Sequence, residues 1–277
     1  MTLKTRNRIF LFFLIVAIAC TALNIALFLQ ALLGNTIIFP TPTKFTRFMR
    51  LFSGTELFKY SFYAVIGGII SFPVYVILVA GFTTFHFEKT QALEIIYFYC
   101  FLLGCLMESA RLVTVTFNLW RTTSITFLVL QRITIAGRVL APMSLLFAAL
   151  FNGTDQRENV EQYIVILFVI ATLTGITFPV ETTKITSTYA AIWGFRETFA
   201  ALCALLMVAS VISMIYTGVT NKMLEMRRET IGYIIMMAGY YLLWVTDNYA
   251  FLALSMGMLL AGTLYYLHSL HAIYLWK

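Results

Sequence analysis

An all-α, polytopic transmembrane helical bundle of about eight helices is the fold class this sequence predicts, and three observations predict it. Only 11% of the 277 residues are charged and 61% are hydrophobic, whereas a soluble domain carries about 25% charged residues. Mean hydropathy is +0.88. The apolar residues fall in continuous runs of the roughly 20 residues that a helix needs to cross the hydrocarbon, where a membrane barrel would show alternating segments of about ten. A soluble enzyme, a secreted disulfide scaffold and a disordered regulator are thereby excluded. The aromatic content of 16%, with 25 Phe and 15 Tyr, suits helices that face lipid and its interfaces.

The first span, 9–33, follows the basic cluster Lys4, Arg6 and Arg8. That cluster with Phe10–Ala19 also resembles a signal peptide, and Ala17-Ile18-Ala19-Cys20 resembles a relaxed lipoprotein cleavage box. The apolar run continues to Leu33, as in an uncleaved span and unlike a short signal core. The connection 34–57 contains Pro40-Thr41-Pro42-Thr43, after which Phe45, Phe48, Met49 and Phe52 recur at helical spacing opposite Lys44 and Arg47. This predicts an interfacial amphipathic helix over 43–53, capped by Thr43, an anchor or a lid on that side.

Further spans are predicted at 58–82, 93–117, 124–151, 160–180 and 190–217. Pro73 and Pro142 fall inside two of them, where each frees a backbone carbonyl and can kink the helix. The run 231–274 is too long for one span; Asp247-Asn248 interrupts it, giving a short helix 231–246 and a longer one 249–274. The count is eight, or seven if the first span is cleaved or if 231–274 is a single helix. Residues 1–277 read as one integral membrane domain.

An even count places both termini on one side. Lys4, Arg6, Arg8, Lys89, Arg157, Lys222, Arg227, Arg228 and Lys277 fall on that side; Lys44, Arg47, Arg50, Lys59, Arg121 and Lys184 fall opposite. The excess favours cytoplasmic termini in an inner or plasma membrane. The net charge of +7 accordingly reads as cationic loops beside anionic lipid headgroups, with no nucleic-acid partner.

An ionisable group at the bilayer centre costs at least about 2.5–3.5 kcal/mol, so those within the spans carry the most information. They are Glu108 and Arg111 in the third span, Gln131, Arg132 and Arg138 in the fourth, Arg196 and Glu197 in the sixth, and Asp247-Asn248 at the last turn. Counted inward from the side opposite the termini at 1.5 Å per residue, Glu108, Arg111, Arg132, Arg196 and Glu197 agree in depth to about one turn, Arg138 lies deeper, and the short helix 231–246 is expected to draw the Asp247 turn below the membrane surface. Four arginines face three carboxylates. The surplus positive charge suits an anionic ligand held by arginine forks; a closed salt-bridge network locking the helices is the competing reading.

The four cysteines, Cys20, Cys100, Cys105 and Cys203, sit in apolar runs with no disulfide or zinc spacing. His86, His268 and His271 share the termini side without a carboxylate or cysteine motif, so no metal or cofactor is expected. Asn152-Gly153-Thr154 matches a glycosylation sequon, but on the side expected to be cytoplasmic. HExxH, GxSxG and phosphate-loop motifs are absent, and the last helix has no lysine for a retinal Schiff base. Nothing selects an enzyme.

The expectation is therefore a multi-pass, receptor-like module in the lipid bilayer. It binds a small anionic or zwitterionic ligand in a polar layer of the outer half through Arg111, Arg132 and Arg196, with Glu108 and Glu197 holding their geometry. Gln131, Arg138, Asp247 and Asn248 are accessory candidates. A receptor of this size would signal through a separate partner. The alternatives are a secondary transporter of a small anion, against which the halves show no convincing repeat, and a non-binding subunit of a membrane complex.

Overall fold

The computed structural model describes residues 3–37, 56–88, 90, 92–121, 124–151, 160–220 and 224–275. The amphipathic helix expected over 43–53 and the sequon at 152–154 lie outside the described residues.

The described chain forms a helical bundle. Helix α1 spans Leu3–Leu33, α2 Phe62–His86, α3 Glu94–Met107, α4 Ala110–Thr116, α5 Ile125–Leu150 and α6 Val160–Thr177. Strands β1 (Val180–Ile185) and β2 (Ala191–Trp193) follow, then α7 (Arg196–Thr220), α8 (Leu224–Val245) and α9 (Tyr249–Leu275). Taken as one interrupted helix, α3 and α4 leave eight long helices. Seven of these are long and apolar enough to cross a membrane, and α8, which begins with Glu225, Arg227, Arg228 and Glu229, is not among them. Those charges also explain why the sequence predicts a helix starting only at 231: the helical backbone tolerates them, but an apolar count does not.

Local signals set several boundaries. Ser124 caps α5 by accepting from Phe127 N at 3.1 Å, and Asn248 caps α9 by accepting from Phe251 N at 2.8 Å, each satisfying a backbone donor that the first turn leaves free. Helix α1 ends at Gly34-Asn35, with Asn35 at φ 50° and Thr36 N donating to Ala31 O at 3.1 Å, which closes the last carbonyls.

Helix α5 is the centre of the bundle, packing against α3, α4, α6, α7 and the β-hairpin; α8 and α9 form a tight antiparallel pair. Small residues permit the close crossings. A Cβ on Gly104 of α3 would stand 2.8 Å from both Ala141 Cβ and Gly137 O, and one on Gly137 of α5 would stand 2.7 Å from Met107 Cβ. Two backbones approach this closely only where side chains are absent. Helices α1, α6 and α7 are peripheral and expose large apolar residues such as Phe12, Val169 and Ile212. That surface requires lipid rather than water around it, and the chain is a multi-pass membrane protein.

Contacts at the two ends bring the start of α1 and the end of α9 to one end of the bundle. There, Arg6 of α1 is buried and donates to the carbonyls of Phe87, at 2.7 Å, and Thr90, while Tyr274 of α9 donates to Glu94 Oε2 at 2.8 Å. At the opposite end, Ser61 N donates to Asp247 O at 3.0 Å and Asn118 Nδ2 to Thr36 O at 2.7 Å.

The hairpin was not expected, since the sequence suggests spans over 160–180 and from 190. The antiparallel strands pair Val180 with Trp193, Glu181 with Ile192 and, after an irregularity, Ile185 with Ala191. β-Branched residues in this stretch favour extended backbone. At the hairpin tip Tyr189 is fully buried at φ 58°, a conformation a bulky residue adopts only when its surroundings hold it. The rings of Trp120 and Phe62 do so at 5.4 and 6.1 Å.

Gly137→Ala is expected to lower stability by about 1–3 kcal/mol, the range for overpacking a filled core. Gly257→Ala, where an added Cβ meets nothing within 4 Å, should stay within about 1 kcal/mol of wild type. Thermal unfolding in one detergent measures both.

Candidate functional site

At the crossing of α3 and α5 the third span is broken. Glu108 N and Ser109 N turn back to Cys105 O at 3.2 Å and Leu106 O at 3.0 Å, a tightened turn of the 3₁₀ kind that marks hinges and functional sites within helices. Glu108 stands at this break, fully buried. Its Oε2 meets Arg111 Nη2 at 2.8 Å, and its Oε1 meets Arg138 Nε at 2.6 Å. Arg138 Nη2 donates to Oε2 at 3.2 Å, which makes that contact a two-point fork on a carboxylate.

The guanidinium of Arg138 also lies 4.9 Å from the Trp193 ring and 5.0 Å from the Trp244 ring. Trp193 ends β2 and Trp244 lies near the end of α8, so hairpin and α8 close on one cation through cation–π attraction. Tyr240, one turn before Trp244, packs its ring 5.0 Å from that indole. Arg111 donates from Nη1 to Thr188 O of the hairpin at 3.2 Å. Gln131 of α5 accepts from Ala191 N at 2.9 Å and contacts Thr114 Oγ1 at 3.4 Å. The hairpin is thus pinned to the centre from two helices. Non-helical backbone is tolerated at membrane depth where protein partners satisfy it in this way.

Two arginines and one carboxylate leave the centre with a formal charge of +1. Its unpaired polar atoms are N–H donors and one phenolic hydroxyl. Arg111 Nε, Trp193 Nε1, Trp244 Nε1 and the Tyr240 hydroxyl are buried and make no hydrogen bond among the described residues. Arg138 uses Nε and Nη2 on Glu108 while its side chain keeps 7% of its surface open. Buried donors without acceptors cost about 1–3 kcal/mol each.

The candidates named from sequence are distributed unevenly around this centre. Glu108 and Arg111 form it. Arg138, given an accessory place on depth, is the second partner of Glu108; counting residues along straight helices ignores the close Gly104/Gly137 crossing and the reach of an arginine stem. Arg132 lies on α5 with a buried Nε that makes no hydrogen bond among the described residues, and it does not pair with Glu108. Arg196 opens α7, and its side chain lies outside the described residues. Glu197, in the first turn of α7, is exposed. Asn248 serves as the α9 cap, and Asp247 Oδ1 accepts from Asn248 Nδ2 at 3.1 Å. Sequence reasoning passed over Trp193, Trp244 and Tyr240, since aromatic residues are common in membrane helices. It also passed over Glu94 and Glu229, which are buried toward the termini end.

Among the described residues, no group of three or more His, Cys, Asp or Glu is arranged to hold a metal. No family model, curated protein or solved structure matches the chain.

Two measurements follow. Glu108→Gln strips both arginines of their counter-charge and is expected to cost about 3–5 kcal/mol, the range for breaking a buried pair, whereas Glu197→Gln on an exposed site should stay within about 0.5 kcal/mol. At the α8–α9 turn, burial pushes the Asp247 carboxyl up from 3.8 to about 6. A carboxyl raised in the folded state binds its proton more tightly there than in the unfolded chain. Its stabilising contribution is therefore full below pH about 4 and is lost as pH rises through about 6. Melting temperature should show that fall between pH 4 and 7 in wild type and lose this component in Asp247→Asn.

Proposed function

We propose that this protein binds a small anionic or zwitterionic ligand, carrying a carboxylate or phosphate group, at the Glu108–Arg111–Arg138 centre. One observation carries the reading: a buried charge of +1 beside donors that have no acceptor among the described residues. An oxyanion neutralises the surplus charge, accepts from several of these donors at once, and matches the guanidinium fork. The Trp193 and Trp244 indoles shape the site and add N–H groups that orient an oxygen, as in pockets where a few placed polar groups sit among aromatic walls.

Entry at the end opposite the termini, where Tyr60 bonds to Ser187 O of the hairpin and neighbouring Ser61 to Asp247 O, goes with this reading. With the basic loops concentrated at the termini end, that entry faces outward in an inner or plasma membrane. The module is receptor-like, its hairpin hanging on Arg111 and Gln131 so that occupation of the centre is felt at the surface. A transporter is the second reading, favoured by the break in the third span at the charged site, since interrupted helices bind substrates in many carriers.

Purified protein should be titrated with lactate, inorganic phosphate and glycine, following melting temperature and calorimetric heat. Binding of at least one is expected; an anion held at 100 times its Kd adds about 2.7 kcal/mol of stability. Arg138→Gln should abolish the gain. A closed scaffold predicts no stabilisation by any of the three. Reconstitution of the chain alone in liposomes separates the readings: uptake of the bound anion favours the transporter, and binding without uptake favours the receptor.

A further inference from the structure

Both carboxylate oxygens of Glu108 are already engaged. Oε1 accepts from Arg138 Nε at 2.6 Å, and Oε2 takes Arg138 Nη2 at 3.2 Å and Arg111 Nη2 at 2.8 Å. The hairpin carbonyl of Thr188 is engaged too, by Arg111 Nη1 at 3.2 Å. Unpaired among the described residues are Arg111 Nε, the indole N–H groups of Trp193 and Trp244, and the Tyr240 hydroxyl. The three N–H groups only donate, and the phenol oxygen alone can also accept.

This inventory treats different ligands unequally. An oxyanion can take the unpaired donors without competing for the atoms that Glu108 uses. An ammonium group brings a positive charge and three N–H donors to a place that already holds two guanidinium groups, and the Tyr240 oxygen is the one acceptor among the unpaired atoms. Its remaining donors would be buried unsatisfied.

Charge number discriminates as well. Glu108, Arg111 and Arg138 are all buried, and together they carry a formal +1. The cost of taking an ion out of water rises with the square of its charge, so it is about four times larger for a dianion than for a monoanion of the same size. Attraction to a centre of +1 only doubles. A monoanion therefore brings the buried charge to zero, whereas a dianion leaves one negative charge uncompensated.

Resting on the anion-binding reading above, we propose that the centre selects a small monoanion without an ammonium group, a monocarboxylate for example, over dianions and zwitterions, and that Glu108 sets this preference. Arg111 and Arg138 by themselves present two positive charges and suit a dianion held by guanidinium forks. Glu108 cancels one of those charges while holding both arginines in place. What it leaves for a ligand is a single charge and a set of donors.

The full chain in detergent is titrated calorimetrically with lactate, alanine, malonate and sulfate at constant ionic strength and pH about 7.5, where every carboxyl among these probes is ionised. Lactate and alanine differ only in a hydroxyl or an ammonium on the same carbon; malonate and sulfate carry two charges. Lactate is expected to bind at least about tenfold tighter than each of the other three. Any of them bound within that margin of lactate, or in its place, overturns the selectivity and leaves the anion-binding reading standing. No binding of any of the four overturns that reading itself. The role of Glu108 is read from Glu108→Gln and Glu108→Met, purified with sulfate present, whose added charge compensates the arginines. Either variant should shift the preference toward sulfate over lactate by at least about tenfold, whereas Glu108→Asp keeps the charge and should keep the wild-type order. An unchanged order in the neutral variants overturns the assignment to Glu108, and the wild-type order decides the ligand class whether or not those variants fold.

Discussion

A carboxylate held between two guanidinium groups, out of reach of water, is the constraint on which the rest of this bundle depends. Isolated, any of the three charges would be costly at that depth; combined, they become affordable only if the geometry is maintained from every side. The requirement reaches outward through the structure. It explains why α3 and α5 carry glycines where they cross, since without the close approach of Gly104 and Gly137 the Arg138 fork would not meet Glu108. It also gives the break between α3 and α4 a role, because the tightened turn places Glu108 and Arg111 beside the same partner.

The hairpin belongs to this logic. Extended backbone at membrane depth must find partners for its polar groups, and it finds them in its own pairing, in Gln131 and in Arg111. In return it delivers Trp193 to 4.9 Å from the Arg138 guanidinium, on which Trp244 of α8 also packs at 5.0 Å. Five separate segments, α3, α4, α5, the hairpin and α8, therefore converge on one small volume. The centre carries one positive charge in excess, and several of its donors have no acceptor among the described residues.

Much of the architecture was legible in the residue order. Apolar runs located the helices to within a few residues at most ends, and Asp247-Asn248 marked the last turn because a polar pair in a long apolar run has no other economical place. The start of α8 was misjudged because Glu225, Arg227 and Arg228 depress an apolar count without disturbing helical backbone. The hairpin was missed because a short β-branched stretch between two spans resembles the frayed ends of both. At the site, Glu108 and Arg111 were legible as an i,i+3 pair on one helix. Arg138 was underrated because its partner lies on another helix, and depth counted along straight rods does not include crossing geometry. Trp193, Trp244 and Tyr240 carried no signal, being ordinary residues for a membrane helix until their neighbours are known.

By itself the sequence determined the solvent, the number of long helices and the shared end of the two termini, because each follows from one-dimensional quantities: apolar length, polar interruptions and parity. It also determined that a few charges had been kept where charge is expensive. Which of those charges meet was decided only by the tertiary structure. Pairing depends on helix crossings set by small residues, on a hairpin whose strands are stabilised by contacts far away in the chain, and on distances of a few ångströms, over which the interaction between buried charges changes most steeply.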